Sequence, residues 1–180
     1  MTPLNVRLAT LANVPALETL IQASARGLRE GYSAEQVEAA LGNALGVDRQ
    51  LIRDETYFLA EAGTEIVGCG GWSKRKTLFG ADHGPVKDDA WLDPATDAAR
   101  IRAFFVHPTW ARRGIGTQLL YACEMAAAAA GFSRLELAAT LPGFPLYRER
   151  GYQEFEWLQV PLPNGLTLPV VRMRKTLTRS

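Results

Sequence analysis

The stretch from Arg102 to Glu124, RAFFVHPTWARRGIGTQLLYACE, decides how this chain is read. Its first part belongs to a strand, Arg100 to Val106 (RIRAFFV), which His107-Pro108 stops. Its second part opens a helix, Ile115 to Ala130, in which Ile115, Leu119, Leu120, Cys123, Ala126 and Ala127 recur at helical spacing. Gly131 supplies the C-terminal stop. The alanine run 126–130 favours a helix and lets it lie close to a sheet. The turn between strand and helix holds Gly114 and Gly116. A helix start exposes unpaired N–H groups and the positive end of the peptide dipoles, so anions bind there. Glycines let an anion approach the main chain, Arg112 and Arg113 add charge, and Thr117 adds a hydroxyl and an N–H. The expected ligand is a phosphate or pyrophosphate.

Spacing excludes two other phosphate loops. A P-loop needs Gly-x-x-x-x-Gly-Lys-[Ser/Thr], and no such run exists. A dinucleotide fingerprint needs a third glycine where Leu119 stands.

Working outward, Leu4 to Ala9 alternates as a first strand, and a helix runs from about Leu11 to Ala25, with Thr10 as N-cap and Pro15 tolerated early. Ser33 and Gln36 fit a capping box that opens a second helix through Leu41. Asp48 caps a short third helix across Leu51 and Ile52. Thr56 to Glu61 and Glu65 to Ser73 form a hairpin, and Gly68, Gly70 and Gly71 within it suggest a bulge or close backbone approach. Arg134 to Ala139 is a strand, Phe144 to Arg150 a short helix, and Gln153 to Val160 with Leu166 to Lys175 a final hairpin. These elements predict one α+β domain over residues 1–180 with a mostly antiparallel sheet.

The totals narrow the function classes. A net charge of +1 lacks the basic surplus of a nucleic-acid binder, and Lys74-Arg75-Lys76 reads as a solvated turn. Cys69 and Cys123 form neither a Cys-x-x-Cys pair nor a zinc spacing, and His83 and His107 match no metal motif, so no metal is expected. The N-terminal MTPLNVRLA is not a signal peptide, and no apolar run reaches the ~20 residues of a membrane span. A cytoplasmic protein without membrane or nucleic-acid partners is expected. Residues 76–99 read as a long loop with turn formers Gly80, Gly84, Pro85 and Pro94 and with acids Asp82, Asp88, Asp89, Asp93 and Asp97. It is either a solvated loop or an acidic wall that attracts a cationic acceptor.

The stretch VHPTWARRGIGTQLL, followed by a strand and then PLYRERGY, resembles the GCN5-related N-acetyltransferases (GNAT). Their signature [Gln/Arg]-x-x-Gly-x-[Gly/Ala] is written here as Ala111-Arg112-Arg113-Gly114-Ile115-Gly116, with Ala111 in place of the usual Gln or Arg. The element order is also similar over nearly the whole chain. The resemblance implies a mixed sheet of about six or seven strands with a splayed central V. It implies acetyl-CoA as co-substrate, its pantetheine arm bonded to the main chain of Phe104, Phe105 and Val106. An N–H near Val106 would polarise the thioester carbonyl. It also implies an amine acceptor, small molecule or protein, with Tyr147 as the acid that protonates the leaving thiolate. Glu136 is a candidate base with a water as the alternative; the family's asparagine between these two is absent, since Thr140-Leu141-Pro142 stands there. The alternative function is a non-catalytic acyl-CoA sensor. The final hairpin and sheet edges are compatible with a homodimer.

Overall fold

The protein is described by a computed structural model that covers residues 2–82 and 87–178. His83, Gly84 and Pro85 of the turn-rich loop lie outside the described residues. The elements in chain order are β1 (Leu4–Leu8), α1 (Val14–Gly27), α2 (Ala34–Ala40), α3 (Arg49–Arg53), β2 (Tyr57–Ala62) and β3 (Glu65–Ser73). They continue with β4 (Ala99–Val106), α4 (Ile115–Ala129), β5 (Arg134–Ala139), α5 (Phe144–Glu149), β6 (Gln153–Pro161) and β7 (Thr167–Thr176). The sheet has seven strands in the order β1-β2-β3-β4-β5-β7-β6, antiparallel throughout except for β4 beside β5.

The helices start where local chemistry starts them. Ser33 Oγ accepts from Gln36 N–H at 3.1 Å while the Gln36 amide oxygen accepts from Ser33 N–H at 2.8 Å, a complete capping box. Asp48 Oδ1 accepts from Gln50 N–H at 2.9 Å at the head of α3. α4 ends before Gly131, whose φ of 95° is the left-handed stop expected of it.

Both faces of the sheet are covered. Leu120, Cys123 and Ala127 of α4 pack with Ile101, Leu135 and Leu137, and Tyr147 of α5 joins them. Leu17, Leu20 and Ile21 of α1 and Leu51 of α3 pack on the other face with Leu59 and Cys69. Close approach of α4 depends on Gly68: a methyl group there would lie 2.6 Å from Ile115 Cγ2.

Two irregularities in β4 create the central V. Its pairing with β5 is confined to Ala99–Leu135 and Arg100–Glu136. Beyond Arg100, β4 stays paired with β3 and has no strand partner on its β5 side. On the β3 side, Cys69 pairs with Phe105 and Gly71 with Arg102, so two residues of β4 oppose Gly70 alone. This bulge puts Ala103 at φ 56° and shifts the alternation of faces by one residue. Phe104 therefore turns toward the α4 face and Phe105 toward the opposite face.

The run Lys74-Arg75-Lys76 is less solvated than its sequence suggests. Arg75 Nε and Nη2 donate to the two carboxylate oxygens of Asp54 at 2.7 and 2.9 Å, and its guanidinium lies 4.0 Å from the Trp91 ring centroid. An anchor distant in sequence and an aromatic face draw the charge back onto the protein.

Candidate active site

The strand–turn–helix segment forms an open backbone cradle. Gly114 is left-handed at φ 81°, and Arg112, at φ 60°, also takes the left-handed region. Gly114 provides no side-chain cap for α4, whose first intrahelical bond runs from Gln118 N–H to Gly114 C=O at 3.0 Å. The first-turn N–H groups of Ile115, Gly116 and Thr117 have no intrahelical acceptor. Nothing lies within 4 Å of where a Gly114 Cβ would be, so space is open above it. Gly116 differs, because a Cβ there would lie 2.8 Å from Leu146 Cδ2 of α5. The motif's two glycines thus divide the work: Gly114 permits the turn and Gly116 admits α5. Ile115 is buried beneath the sheet and can offer a ligand only its main chain. Arg112 and Arg113 are exposed, and the Arg113 guanidinium lies 4.8 Å from the Trp110 ring centroid. Ala111, where the signature has Gln or Arg, donates its N–H to Pro108 C=O at 3.3 Å.

The cradle adjoins the open arm of β4. Phe104, Phe105 and Val106 are half-buried, and the side of this arm toward β5 lacks a ladder partner. A cavity of about 60 Å³ sits between the arms, lined by Arg102, Phe105, Phe79, Thr140, Tyr147 and Leu168 among others. The segment Leu78–Gly80 closes one side. Arg102, only 5% exposed, holds this segment by donating from Nη2 to Gly80 C=O at 2.7 Å. Asp48 Oδ2 lies 3.0 Å from both Arg102 Nη2 and Lys87 Nζ, ion-pair contacts without hydrogen-bond alignment. Burial pulls the Arg102 guanidinium below its ordinary value, and the charge of Asp48 opposes that pull. Arg102 Nε is buried without a partner among the described residues. Tyr32 ties the β5 arm in place: its hydroxyl donates to Pro169 C=O at 2.6 Å and accepts from Leu141 N–H at 3.0 Å.

Tyr147 and Glu136 are not brought together. Tyr147 lines the cavity between the arms, its ring edge-on to Phe104 (6.1 Å between centroids) and to Tyr152 (5.8 Å). Among the described residues its hydroxyl makes no hydrogen bond. Burial, with a smaller contribution from Cys123, pushes this hydroxyl well above its ordinary value, so it stays protonated at neutral pH. Glu136 sits at the closed base of the V, in a separate groove with Arg100, Arg134, Arg172 and Arg174. Its Oε2 accepts from Arg100 at 3.0 Å and from Arg172 at 3.1 Å. This oxygen is thereby committed to two guanidinium groups and does not face the cavity between the arms. His107 accepts from Thr109 N–H through Nδ1 at 3.2 Å, as a turn residue does.

None of the acids of the 76–99 loop lines the cavity. Asp82 pairs with Arg49, Asp97 accepts from Asp93 N–H at 2.7 Å, and Asp88 and Asp89 are exposed. Cys69 and Cys123 are buried free thiols, and burial pushes Cys69 up to about 12, which removes it as a nucleophile. Among the described residues no cluster of three or more metal-ligating side chains exists, and no helix is long and apolar enough to cross a membrane.

Sequence reasoning missed Arg102, Asp48 as its partner, and the Leu78–Gly80 segment. Only a charge inside the apolar run RIRAFFV hinted at the first.

Known proteins share this architecture. A GCN5-related N-acetyltransferase of Rhodopseudomonas palustris superposes with a TM-score of 0.72 at 24% identity, covering 98% of this chain and 97% of that one. A ribosomal-protein-alanine N-acetyltransferase of Brucella melitensis gives 0.65 at 19% identity, with 96% and 99% covered. A PaiA N-acetyltransferase of Thermoplasma acidophilum in complex with coenzyme A gives 0.62 at 14% identity, with 97% and 99% covered. No curated protein matched the sequence. The Acetyltransferase (GNAT) family matches residues 17–152, three quarters of the chain, including β4, the turn at Gly114, α4 and Tyr147. The chain belongs to the GNAT acetyltransferase family, an acyltransferase built around a seven-stranded mixed sheet whose central strands part at the site.

Proposed function

We propose that the chain moves the acetyl group of acetyl-CoA to a primary amine by direct attack. One observation carries the reading: the uncapped, left-handed start of α4 at Gly114 lies next to the unpaired arm of β4. The main chain from Ala111 to Thr117 holds the pyrophosphate, with Arg112 and Arg113 adding charge. The pantetheine arm adds to β4 along Phe104, Phe105 and Val106 as a further strand would. The neutral amine attacks the thioester carbonyl, and an N–H near Val106 stabilises the oxyanion. The tetrahedral intermediate collapses, the C–S bond breaks, and Tyr147 Oη gives its proton to the departing thiolate. The proton lost by the amine leaves through water, and Tyr147 is reprotonated from solvent. Both ion pairs of Glu136 argue for the water rather than for that carboxylate. The buried thiols are consistent with a single transfer without an acyl-enzyme.

Thiol release from acetyl-CoA in the presence of an amine panel tests this. Saturable release with at least one amine supports it. Tight acetyl-CoA binding without release across the panel would instead favour a non-catalytic acyl-CoA sensor.

A further inference from the structure

The groove at the closed base of the V is far larger than the cavity between the arms. It measures about 800 Å³, within the roughly 300–1,000 Å³ of ordinary ligand sites. Five cations line it, Arg100, Arg134, Arg172, Arg174 and Lys175, against two carboxylates, Asp97 and Glu136. Strand register gathers the arginines. Glu136 pairs with Arg100 of β4 on one side and with Arg174 of β7 on the other, while Arg134 and Arg172 lie two residues along on the same face. Arg134 and Arg174 are diagonal neighbours across β5 and β7, a relationship that sets residues roughly 7–8 Å apart.

The carboxylates leave part of this charge free. Glu136 is shared by Arg100 and Arg172, Glu156 reaches in to Arg172, and Glu124 pairs with Lys175. Asp97 accepts from Asp93 N–H. Arg134 and Arg174 are exposed and have no carboxylate partner among the described residues. Arg134 donates to Thr96 C=O, and the Arg174 guanidinium lies 4.8 Å from the Phe155 ring centroid. Burial pulls the Arg100 guanidinium below its ordinary value; Glu136 opposes that pull, and the charge of Arg172 adds to it. The surroundings limit the size of a partner. Residues 96–98 bound one side of the groove, and Gly151 and Gln153 bound another. Exposed Glu154 and Glu156 follow along β6 and repel a long polyanion running past it.

We infer that this groove is a second anion site, which takes a small molecule carrying two or more carboxylate or phosphate groups between Arg134 and Arg174. The planar forks of the two guanidinium groups suit either kind of oxygen. The row of Arg100, Glu136 and Arg172 beneath them fixes the floor. Arg100 lies six residues along β4 from Val106, roughly 20 Å of strand, so the site is separate from the α4 cradle and does not rest on the acetyl-transfer reading.

Calorimetric titration of the full chain with citrate and with tripolyphosphate tests this, with acetyl-CoA present in excess to fill the cradle. At least one of the two should bind saturably, one equivalent per chain, about tenfold or more tighter than acetate, as two linked anionic groups do. The tighter of the two names the anionic group. In the double variant Arg134→Gln, Arg174→Gln, the affinity should fall about tenfold or more, the scale of a lost charge-assisted contact. Acetyl-CoA binding and the melting temperature should stay as in the wild type. Should the double variant not fold, Arg174→Gln alone gives the reading, with an expected loss of about threefold or more. Binding of neither anion, affinity no greater than that for acetate, or affinity that survives these substitutions overturns the proposal. Binding that acetyl-CoA displaces puts the anion at the cradle and overturns it as well. Absence of acetyl-CoA binding sinks the donor reading alone, since the arginine variants still decide where the anion sits.

Discussion

Phe104 and Tyr147 meet edge to face, their ring centroids 6.1 Å apart at 69°. The contact links the strand expected to hold the donor with the helix that carries the expected acid. It exists because the bulge at Ala103 turns Phe104 to the α4 face, over Gly70, where a methyl group would lie 2.6 Å from the Phe104 ring.

Replacing Tyr147 by Phe keeps both ring contacts and removes a hydroxyl that has no hydrogen bond among the described residues. The variant should fold as the wild type does and bind acetyl-CoA normally, while kcat falls about 10²-fold, the scale of a lost general acid. Steady-state kinetics read this, and an unchanged kcat would remove Tyr147 from the mechanism. Because burial raises this hydroxyl's pKa, the acid stays protonated from neutral to mildly alkaline pH, and kcat should show no loss from its ionisation there.

Gly114→Ala meets no neighbour but forces an L-residue to φ 81°. The strain, about 1–2 kcal/mol, should appear as weaker acetyl-CoA binding with a modest loss of melting temperature. Gly68→Ala should lower the melting temperature more, because its methyl group meets buried Ile115 and displaces the start of α4, and it should weaken acetyl-CoA binding through that displacement. A Gly114→Ala protein with wild-type affinity would contradict the cradle.

Arg112→Ala and Arg113→Ala each remove an exposed cation beside the cradle. Each should weaken acetyl-CoA binding at low ionic strength, and the difference from wild type should shrink as salt screens it. Titrations at two salt concentrations measure this; equal losses at both would point to packing instead of charge.

Asp54 contributes a stability term whose sign is fixed by its pairing. The Arg75 guanidinium holds this carboxyl below its ordinary value, with burial opposing and Gln50 helping. A depressed folded-state pKa gives stability that is complete above the unfolded value near 4 and is lost as pH falls through the lower folded value. The difference in melting temperature between wild type and Asp54→Asn should stay constant from pH 5 to 8 and shrink below about 4. A gap that widens in acid would contradict the assignment.

Asp88 and Asp89 are exposed and outside the cavity, so an acidic wall for a cationic acceptor has no support in their positions. Neutralising both to Asn should leave the acceptor KM unchanged. A clear rise would restore the wall.

Local chemistry and the two hairpins were legible in the sequence; contacts between segments far apart in the chain were not. Ser33, Gln36 and Asp48 announced their helices because capping acts over three residues. Gly114 and Gly116 marked the turn, yet only the packing of Leu146 separates their roles. The glycines of β3 signalled a close approach, while the extra residue itself lies on β4 as Ala103, where nothing in the sequence flags it. Arg102 with Asp48, and Arg75 with Asp54, join residues far apart in the chain, and single-sequence patterns carry no such register. Glu136 stood on the expected strand, but its two arginine partners come from β4 and β7 and are visible only once the sheet is assembled.

The central claim is that the open start of α4 and the free arm of β4 together bind acetyl-CoA. Calorimetric titration of the protein with acetyl-CoA, with NAD as the control, tests it most directly. The account predicts saturable binding of one equivalent at micromolar strength, weakened in Gly114→Ala, and no heat with NAD. Absence of binding, or equal binding of NAD, would contradict it and with it the assignment of acyl transfer to this site.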